Sequence, residues 1–181
     1  MNINKETILK EVGVIPTEQF DVKSAIRDRV DYLKNYLRTY NLKAIVLGIS
    51  GGVDSTTAGS LAQTAITELR EEGYDAKFVA VRLPHNVQKD EDEAQDAIKF
   101  IGADVTHTVN IGAAVDAINT EGVGSFVEPE QFTAKTIDFH KGNIKARMRM
   151  IAQYQLAGFY GGVVLGTDHN AENLAGFYTH H

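Results

Sequence analysis

A glycine-rich octapeptide, residues 48–55, carries the residue types best suited to chemistry in this 181-residue chain. It follows the apolar run at 44–47, typical of a buried strand, and precedes residues 56–62, typical of the start of a helix. Glycines in such a turn let the backbone approach a phosphate closely, while free N–H groups and the helix dipole point toward it. Ser50 and Ser55 add hydroxyl donors, and Asp54 is suited to hold a metal ion that bridges phosphates.

The order of residues separates this loop from two familiar nucleotide-binding loops. No Gly-Lys-Ser/Thr closes it, as a Walker loop requires. Its glycine spacing also differs from that of the dinucleotide-binding fingerprint. A tight strand-to-helix turn with capping serines is the purely structural alternative. The pattern therefore indicates an anion site of a third kind, built at the junction of a strand and a helix.

Helical and strand patterns alternate along the chain. Strands are predicted at 43–49, 77–83, 104–109 and 163–166, and helices at 3–12, 19–40, 55–72, 90–101, 111–118 and 143–160, whereas residues 121–142 have the least regular pattern. This alternation predicts an α/β fold, a parallel sheet with helices on both faces. Ligands of such sheets bind at the carboxyl ends of the strands. The sequence places the loop, Arg82 and residues 167–172 at those ends.

The polar residues outside the loop each have a structural explanation as well. Arg82 could pair with an acid such as Asp90, and Glu172 could cap a helix. Arginines on the predicted helix at 143–160 commonly extend to solvent or form ion pairs. Four histidines lack metal-ligand spacing and are interpreted as ordinary surface or core residues: His85, His107, His140 and His169. Asp168 and His169 are expected to orient the loop that contains them.

Four motifs together resemble the ammonia-dependent NAD synthetases of the PP-loop ATP pyrophosphatase superfamily. They are the octapeptide, residues 81–84 with Gln88, residues 143–149, and residues 166–173. The resemblance runs from about residue 5 to Thr179. It implies the Rossmann-like PP-loop fold of adenine nucleotide alpha hydrolases, a homodimer, and ATP- and Mg²⁺-dependent amidation of deamido-NAD with ammonia.

The same resemblance implies roles for individual residues. Asp54 and Glu172 would bind Mg²⁺, and Arg147 would contact deamido-NAD. ATP would be contacted by Arg82, Gln88 and Thr167, and by the loop residues Gly48, Ile49, Ser50, Gly51, Gly52, Val53, Asp54 and Ser55. No catalytic side chain is assigned, because the nicotinate carboxylate itself attacks the α-phosphorus of ATP. Ammonia then displaces AMP from the acyl-adenylate.

Composition narrows the class of protein further. A net charge of −6 and a pI near 5.5 argue against a nucleic-acid partner. Without cysteine the chain has no thiolate metal site, and it lacks the nucleophile that a glutamine-fed amidotransferase needs. With no signal peptide and no apolar run of ~20 residues, we expect no membrane association and a cytoplasmic location. Two alternatives stay open: another small-molecule adenylating ligase of the superfamily, and a non-catalytic adenine-nucleotide-binding module.

We expect residues 1–181 to form a single PP-loop ATP-binding synthetase domain. In the family, a lysine that contacts deamido-NAD follows the residue matching Thr179, whereas this chain has His180. In a protein of the family's usual length, a further C-terminal part would come next. The resemblance therefore implies a C-terminally truncated domain, in which ATP binding is better preserved than amidation.

Overall fold

Four parallel strands form the sheet at the centre of the fold. A computed structural model describes residues 4–86, 91–126 and 128–179. The strands are β1 (Ala44–Gly48), β2 (Lys77–Arg82), β3 (Val105–Thr108) and β4 (Val163–Val164), in the spatial order β3-β2-β1-β4. Every pairing is parallel, so the prediction of an α/β fold with a parallel sheet is confirmed. Strand β4 is two residues long, shorter than the segment that the sequence predicts.

Helices cover both faces of this sheet. They are α1 (Lys5–Glu11), α2 (Val22–Thr39), α3 (Val53–Glu71), α4 (Glu91–Ile101), α5 (Gly112–Gly124), α6 (Ala134–Tyr160) and α7 (Asn170–Ala175). Short 3₁₀ turns lie at Thr17–Gln19 and Pro129–Gln131. Helices α2, α3 and α4 pack on one face, and α5 and α6 pack on the other. In the described part of the chain, no helix has the length and apolarity needed to cross a membrane.

Strand β1 shows why the sheet needs helices on both faces. Ile45 and Leu47 belong to the core shared with α2 and α3, whereas Ala44 and Val46 belong to the core shared with α6. Successive side chains of a strand point to opposite faces, so a strand that is apolar at every position must be covered on both sides. Full burial of the larger side chains, those of Ile45, Val46 and Leu47, contributes about 1.5–3 kcal/mol each. The apolar run at 44–47 therefore fixes β1 at the centre of the sheet.

Helix α6 begins earlier than the sequence pattern indicates. The structure places its first residue at Ala134, after Thr133, whose side chain accepts a hydrogen bond from the Thr136 N–H at 3.1 Å. The prediction that 121–142 is irregular is thus wrong for its last nine residues. Gly142 suggested a break, but a glycine inside a helix costs only about 1 kcal/mol relative to alanine, which packing readily offsets. Helix α5 likewise continues through Gly122 to Gly124.

Candidate functional site

The glycine-rich loop joins the end of β1 to the start of α3. Gly48 is the last residue of β1, and Gly52 is the residue before the first turn of α3. Gly51 has a φ of +91°, and a Cβ at this position would lie 3.0 Å from the backbone nitrogen of Ala94 in α4. Any side chain at Gly51 would therefore be strained and would collide with backbone. The close approach of the loop to α4 therefore requires glycine at position 51.

The two serines of the loop bond to the loop itself. The Ser55 hydroxyl is buried; it accepts from the Ser50 N–H and donates to the Gly52 carbonyl, each at 3.2 Å. The Ser50 hydroxyl accepts from the Gly52 N–H at 3.2 Å and lies 3.1 Å from the Ser55 hydroxyl. These bonds use up side-chain hydrogen-bonding capacity and fix the curvature of the loop. The serines therefore bond within the loop but do not cap α3, since its N-cap residue Gly52 has no side-chain capping bond. A direct bond from either serine to phosphate stays a prediction.

Arg82 lies beneath the loop and not at its surface. It is 1% exposed, and its Nη1 donates to the carbonyl oxygen of Ile49 at 2.8 Å. Its predicted contact with ATP is not tested by this arrangement and stays a prediction. The alternative pairing with Asp90, and the predicted ATP contact of Gln88, lie outside the described residues. What the structure establishes is that the Arg82 guanidinium supports the loop from below.

Two carboxylates from different helices meet above the loop. Asp54 lies in the first turn of α3, and Glu172 lies in the first turn of α7. Together with the His169 ring, they offer ligand atoms that all lie within 4.8 Å of one another. The side chain of Asp54 is 59% exposed and that of Glu172 is 24% exposed, so both oxygens can be reached from the edge of the sheet. The structure therefore brings together the two residues predicted to bind Mg²⁺, and metal binding itself stays a prediction.

His169 is the residue that sequence reasoning undervalued. It precedes α7 and forms a capping box with Glu172: its Nδ1 accepts from the Glu172 N–H at 3.4 Å, and its own N–H donates to the Glu172 carboxylate at 3.1 Å. Its Nε2 lies 3.9 Å from the nearer carboxylate oxygen of Asp54. The usual sequence signal of such a helix start is Ser or Thr followed three positions later by Glu or Gln, and His169 in place of the hydroxyl residue does not give that signal. The helix-capping alternative for Glu172 is therefore observed alongside its place in the cluster.

The other three histidines have no place in this cluster. His107 shares a 2.8 Å hydrogen bond with the Tyr160 hydroxyl, and His85 lies 3.4 Å from the Asp116 carboxylate. His140 lines an apolar cavity between α5 and α6. These positions agree with the interpretation of the three as ordinary residues.

A cavity of about 1000 Å³ opens beside the carboxylates. Arg147 and Met150 of α6 form one wall, and Asp168, Glu172 and residues 176–179 form the other. Within the described part of the chain, no carboxylate pairs with Arg147. Thr167 lies in the segment of the chain between β4 and Asp168 of the cavity wall, and it is half-buried. The structure thus brings Arg147 and Glu172 together on one cavity, and Glu172 also belongs to the carboxylate cluster.

The fold and this site can be compared with proteins of known family. The model of the family described as NAD synthase matches residues 25–181. The chain belongs to the NAD synthase family. The crystal structure of NAD⁺ synthetase from Burkholderia pseudomallei superposes with a TM-score of 0.84 at 48% identity, covering 92% of this chain and 70% of that one. The PP-loop α/β fold predicted from the sequence is confirmed by this likeness.

Two further relatives are similar to most of this chain. The NH₃-dependent NAD⁺ synthetase of Lactococcus lactis subsp. cremoris (strain MG1363) is 54% identical over 97% of this chain and 62% of its own length. The NMN synthetase of Francisella tularensis has a TM-score of 0.68 at 30% identity, covering 88% of this chain and 60% of that one. The chain therefore spans about three fifths of the length of the curated relatives that it matches.

Proposed function

We propose that this chain takes part in the ATP-dependent amidation of deamido-NAD with ammonia, which gives NAD, AMP and pyrophosphate. One observation carries the proposal: Glu172 belongs both to the carboxylate cluster above the glycine-rich loop and to the wall of the cavity that Arg147 lines. A nucleotide on the loop and an anionic substrate in the cavity would then meet at Glu172. Membership of the NAD synthase family supports this assignment.

The residues at this edge fit Mg²⁺ as the cofactor. Asp54 and Glu172 supply carboxylate oxygens, which are the ligands that Mg²⁺ prefers, and their partial exposure leaves room for water and phosphate oxygens. Bound there, Mg²⁺ would neutralise charge on the phosphates of ATP. We assign Asp54 and Glu172 as its ligands. His169 would keep the Glu172 carboxylate in place through the capping box.

The chain's own groups suit the chemistry of an acyl-adenylate. In the first step, an oxygen of the nicotinate carboxylate attacks the α-phosphorus of ATP; the bond from that phosphorus to the bridging oxygen breaks, and pyrophosphate leaves. In the second step, ammonia attacks the acyl carbon, AMP leaves, and one proton is released. The N–H groups of the loop at Gly48–Ser55 would stabilise the departing pyrophosphate. Arg147 would hold an anionic group of deamido-NAD in the cavity, so that the carboxylate is positioned for attack.

The experiment that tests this proposal supplies ATP, Mg²⁺, deamido-NAD and ammonium. NAD is followed with an alcohol-dehydrogenase-coupled assay, and pyrophosphate is measured in parallel. We expect NAD and pyrophosphate in equal amounts, with no NAD formed when any one of the four components is omitted. Without ammonium, pyrophosphate release should be limited to the single turnover that forms the acyl-adenylate. ATP that binds without any pyrophosphate release would instead indicate the non-catalytic nucleotide-binding module. Pyrophosphate release that does not require deamido-NAD would indicate hydrolysis of ATP to AMP, and would contradict the proposed coupling to amidation.

Nicotinate mononucleotide is a second candidate substrate, and a separate assay should test it in place of deamido-NAD. The 30% identical structure from Francisella tularensis is an NMN synthetase. Nicotinate mononucleotide carries the same nicotinate carboxylate as deamido-NAD but lacks the adenylate half. We expect deamido-NAD to be used with the higher kcat/KM, because the curated relatives that this chain matches at 52–54% identity are NAD⁺ synthetases. A preference for the mononucleotide would favour the alternative of another small-molecule adenylating ligase.

We further propose that two copies of the chain pair through α6 as a homodimer. Met150 and Phe159 on this helix are 48% and 78% exposed, and Ile151 and Tyr154 are at least half exposed. Large apolar side chains exposed on one long helix are typical of an interface. A two-fold axis near α6 would bury this surface on both copies.

A further inference from the structure

The backbone N–H of Gly48 points to a side of β1 where the sheet has ended. Ile49 donates its N–H to Val81 of β2 at 2.9 Å. Neighbouring residues of a strand direct their N–H groups to opposite sides, so that of Gly48 faces β4. On the side of β1 that faces β4, the last hydrogen bond described is the one that the Leu165 N–H donates to the Val46 carbonyl at 2.9 Å. Strand β4 itself ends at Val164. The strand alone therefore offers this N–H no partner.

Gln153 of α6 supplies the missing acceptor. Its Oε1 accepts from the Gly48 N–H at 2.7 Å, and its Nε2 donates to the carbonyl of Arg149 one helical turn earlier at 3.2 Å. The second bond fixes which end of the amide faces the strand. Gly48 has no side chain, and a Cβ there would lie 3.2 Å from both Cδ and Oε1 of Gln153. The close approach of helix and strand therefore depends on this pair.

The same helix also holds the neighbouring strand end. Nε of Arg149 donates to the carbonyl of Leu83, directly after β2, at 3.1 Å. Arg147 and Met150, on adjacent turns, line the cavity assigned to the anionic substrate. One stretch of α6 thus contacts the starts of both loops at the sheet edge and forms the wall of the cavity. A shift of this helix would move both halves of the site together.

We propose that Gln153 is a positioning residue, which sets the phosphate-binding loop at the distance from the acyl-substrate cavity that adenylation requires. The proposal rests on the proposed function, since it assumes that the loop holds the phosphates of ATP. Gln153 acts through Gly48 and touches no reacting atom. Its bond fixes the first residue of the loop relative to the helix that carries Arg147.

Three variants test this role. Gln153→Met keeps the length of the side chain and removes the acceptor. Gln153→Glu keeps an oxygen that can accept from Gly48. Gln155→Met, on the exposed face of the same helix, is the matched control. Calorimetry with Mg²⁺-ATP and Mg²⁺-pyrophosphate measures phosphate affinity, and hydrogen exchange of peptides spanning 46–52 measures protection of the loop amides.

We expect Gln153→Met to lower the affinity for ATP and for pyrophosphate about tenfold. Its loop amides should exchange faster, while the exchange of α2 and of β3 stays unchanged. Gln153→Glu should restore amide protection, because its carboxylate accepts the same bond. In the NAD-forming assay, the KM for ATP should rise in Gln153→Met, while the KM for deamido-NAD stays within about twofold. A general loss of structure would change both KM values and would speed exchange throughout the fold.

Two results would overturn the proposal, and they are distinguishable. If the wild-type chain binds ATP and Gln153→Met binds it equally well, Gln153 does not position the loop, and the proposed function is unaffected. If the wild-type chain binds neither ATP nor pyrophosphate, the proposed function fails and this inference fails with it.

Discussion

The buried guanidinium of Arg82 donates through Nη1 to the carbonyl oxygen of Ile49 at 2.8 Å. Arg82 ends β2, and Ile49 is the first residue after β1, so this bond joins the two central strands where the glycine-rich loop begins. A carbonyl this deep in the fold has no access to bulk water, since Ile49 is 2% exposed. The loop therefore rests on an internal cation whose removal would leave a buried oxygen without that donor.

Arg82→Met tests this support. The substitution keeps an unbranched side chain of similar reach but removes every donor, so we expect a loss of about 2–3 kcal/mol in the free energy of unfolding. Urea denaturation at neutral pH measures the loss. Arg29→Met is the matched control: Arg29 is exposed on α2 and bonds only to the Ala25 carbonyl of its own helix among the contacts described. Its effect should stay below about 0.5 kcal/mol. Equal effects of the two substitutions would contradict a supporting role for Arg82.

Asp54→Ala tests the assignment of the metal ligand. Asp54 is exposed and lies in the first turn of α3, so its removal should leave the fold intact. We expect ATP affinity in the presence of Mg²⁺ to fall about tenfold, because one of two charged ligands is lost. Calorimetry with and without Mg²⁺ measures the change. Asp28→Asn, an exposed acid on α2, should bind ATP as the wild type does. A Mg²⁺ response in Asp54→Ala equal to that of the wild type would remove Asp54 from the site.

Glu172→Gln separates the metal role of Glu172 from its capping role. A glutamine oxygen can still accept from the His169 N–H, so the capping box and the start of α7 should persist. The charge is lost, and Mg²⁺-dependent ATP affinity should fall. Glu172→Ala loses both functions and should also lower the thermal midpoint. If Glu172→Gln keeps full Mg²⁺-dependent binding while Glu172→Ala loses it, then capping alone explains the residue.

The central sheet could be predicted from the sequence because its signal is local. An apolar run at 44–47 followed by Gly48 identifies a buried strand and its end without any long-range information. The place of Asp54 beside Glu172 followed from one further rule, that parallel strands end at the same edge. Family resemblance, not periodicity, supplied the roles of Arg147 and Thr167.

The parts that sequence reasoning missed depend on tertiary contacts. Gly142 is typical of a helix break, yet α6 continues through it. Packing and the Thr133 cap outweigh the small cost of a glycine within a helix. The bond from the Gly48 N–H to Gln153 joins residues 105 positions apart, and no local sequence pattern predicts it. The capping role of His169 could not be predicted, because histidine is an uncommon helix-capping residue.

Substitutions on α6 test the proposed dimer. Phe159 is 78% exposed on α6, and Phe100 is 77% exposed on α4, so the two offer equal apolar surface at different places. We expect Phe159→Ser to shift the wild-type dimer to monomer at low micromolar concentration, because the helix loses a large apolar anchor. Phe100→Ser should remain dimeric. Multi-angle light scattering gives the masses, and a monomeric wild type at high micromolar concentration would contradict pairing through α6.

Acid sensitivity should arise from the ion-pair network between α2 and α3. Arg27 donates to Glu68 at 2.8 Å and Lys34 donates to it at 2.7 Å. These bonds lower the pKa of Glu68 from 4.5 to about 2, and the bond from Arg27 has the largest effect. Because the folded pKa is depressed, the stabilisation is fully present above the unfolded value and is lost as the pH falls from about 4.5 to about 2.

Glu68→Gln removes this titration. At neutral pH the variant should be about 1 kcal/mol less stable than the wild type, a figure that allows for solvent screening of a partly exposed network. The difference should shrink as the pH falls from 5 to 2, since the wild type loses the same interaction on protonation. Urea unfolding at several pH values measures the trend. Glu71→Gln, an exposed neutralisation on the same helix, should keep the wild-type slope. A constant difference between Glu68→Gln and the wild type across that range would mean that charge on Glu68 does not stabilise the fold.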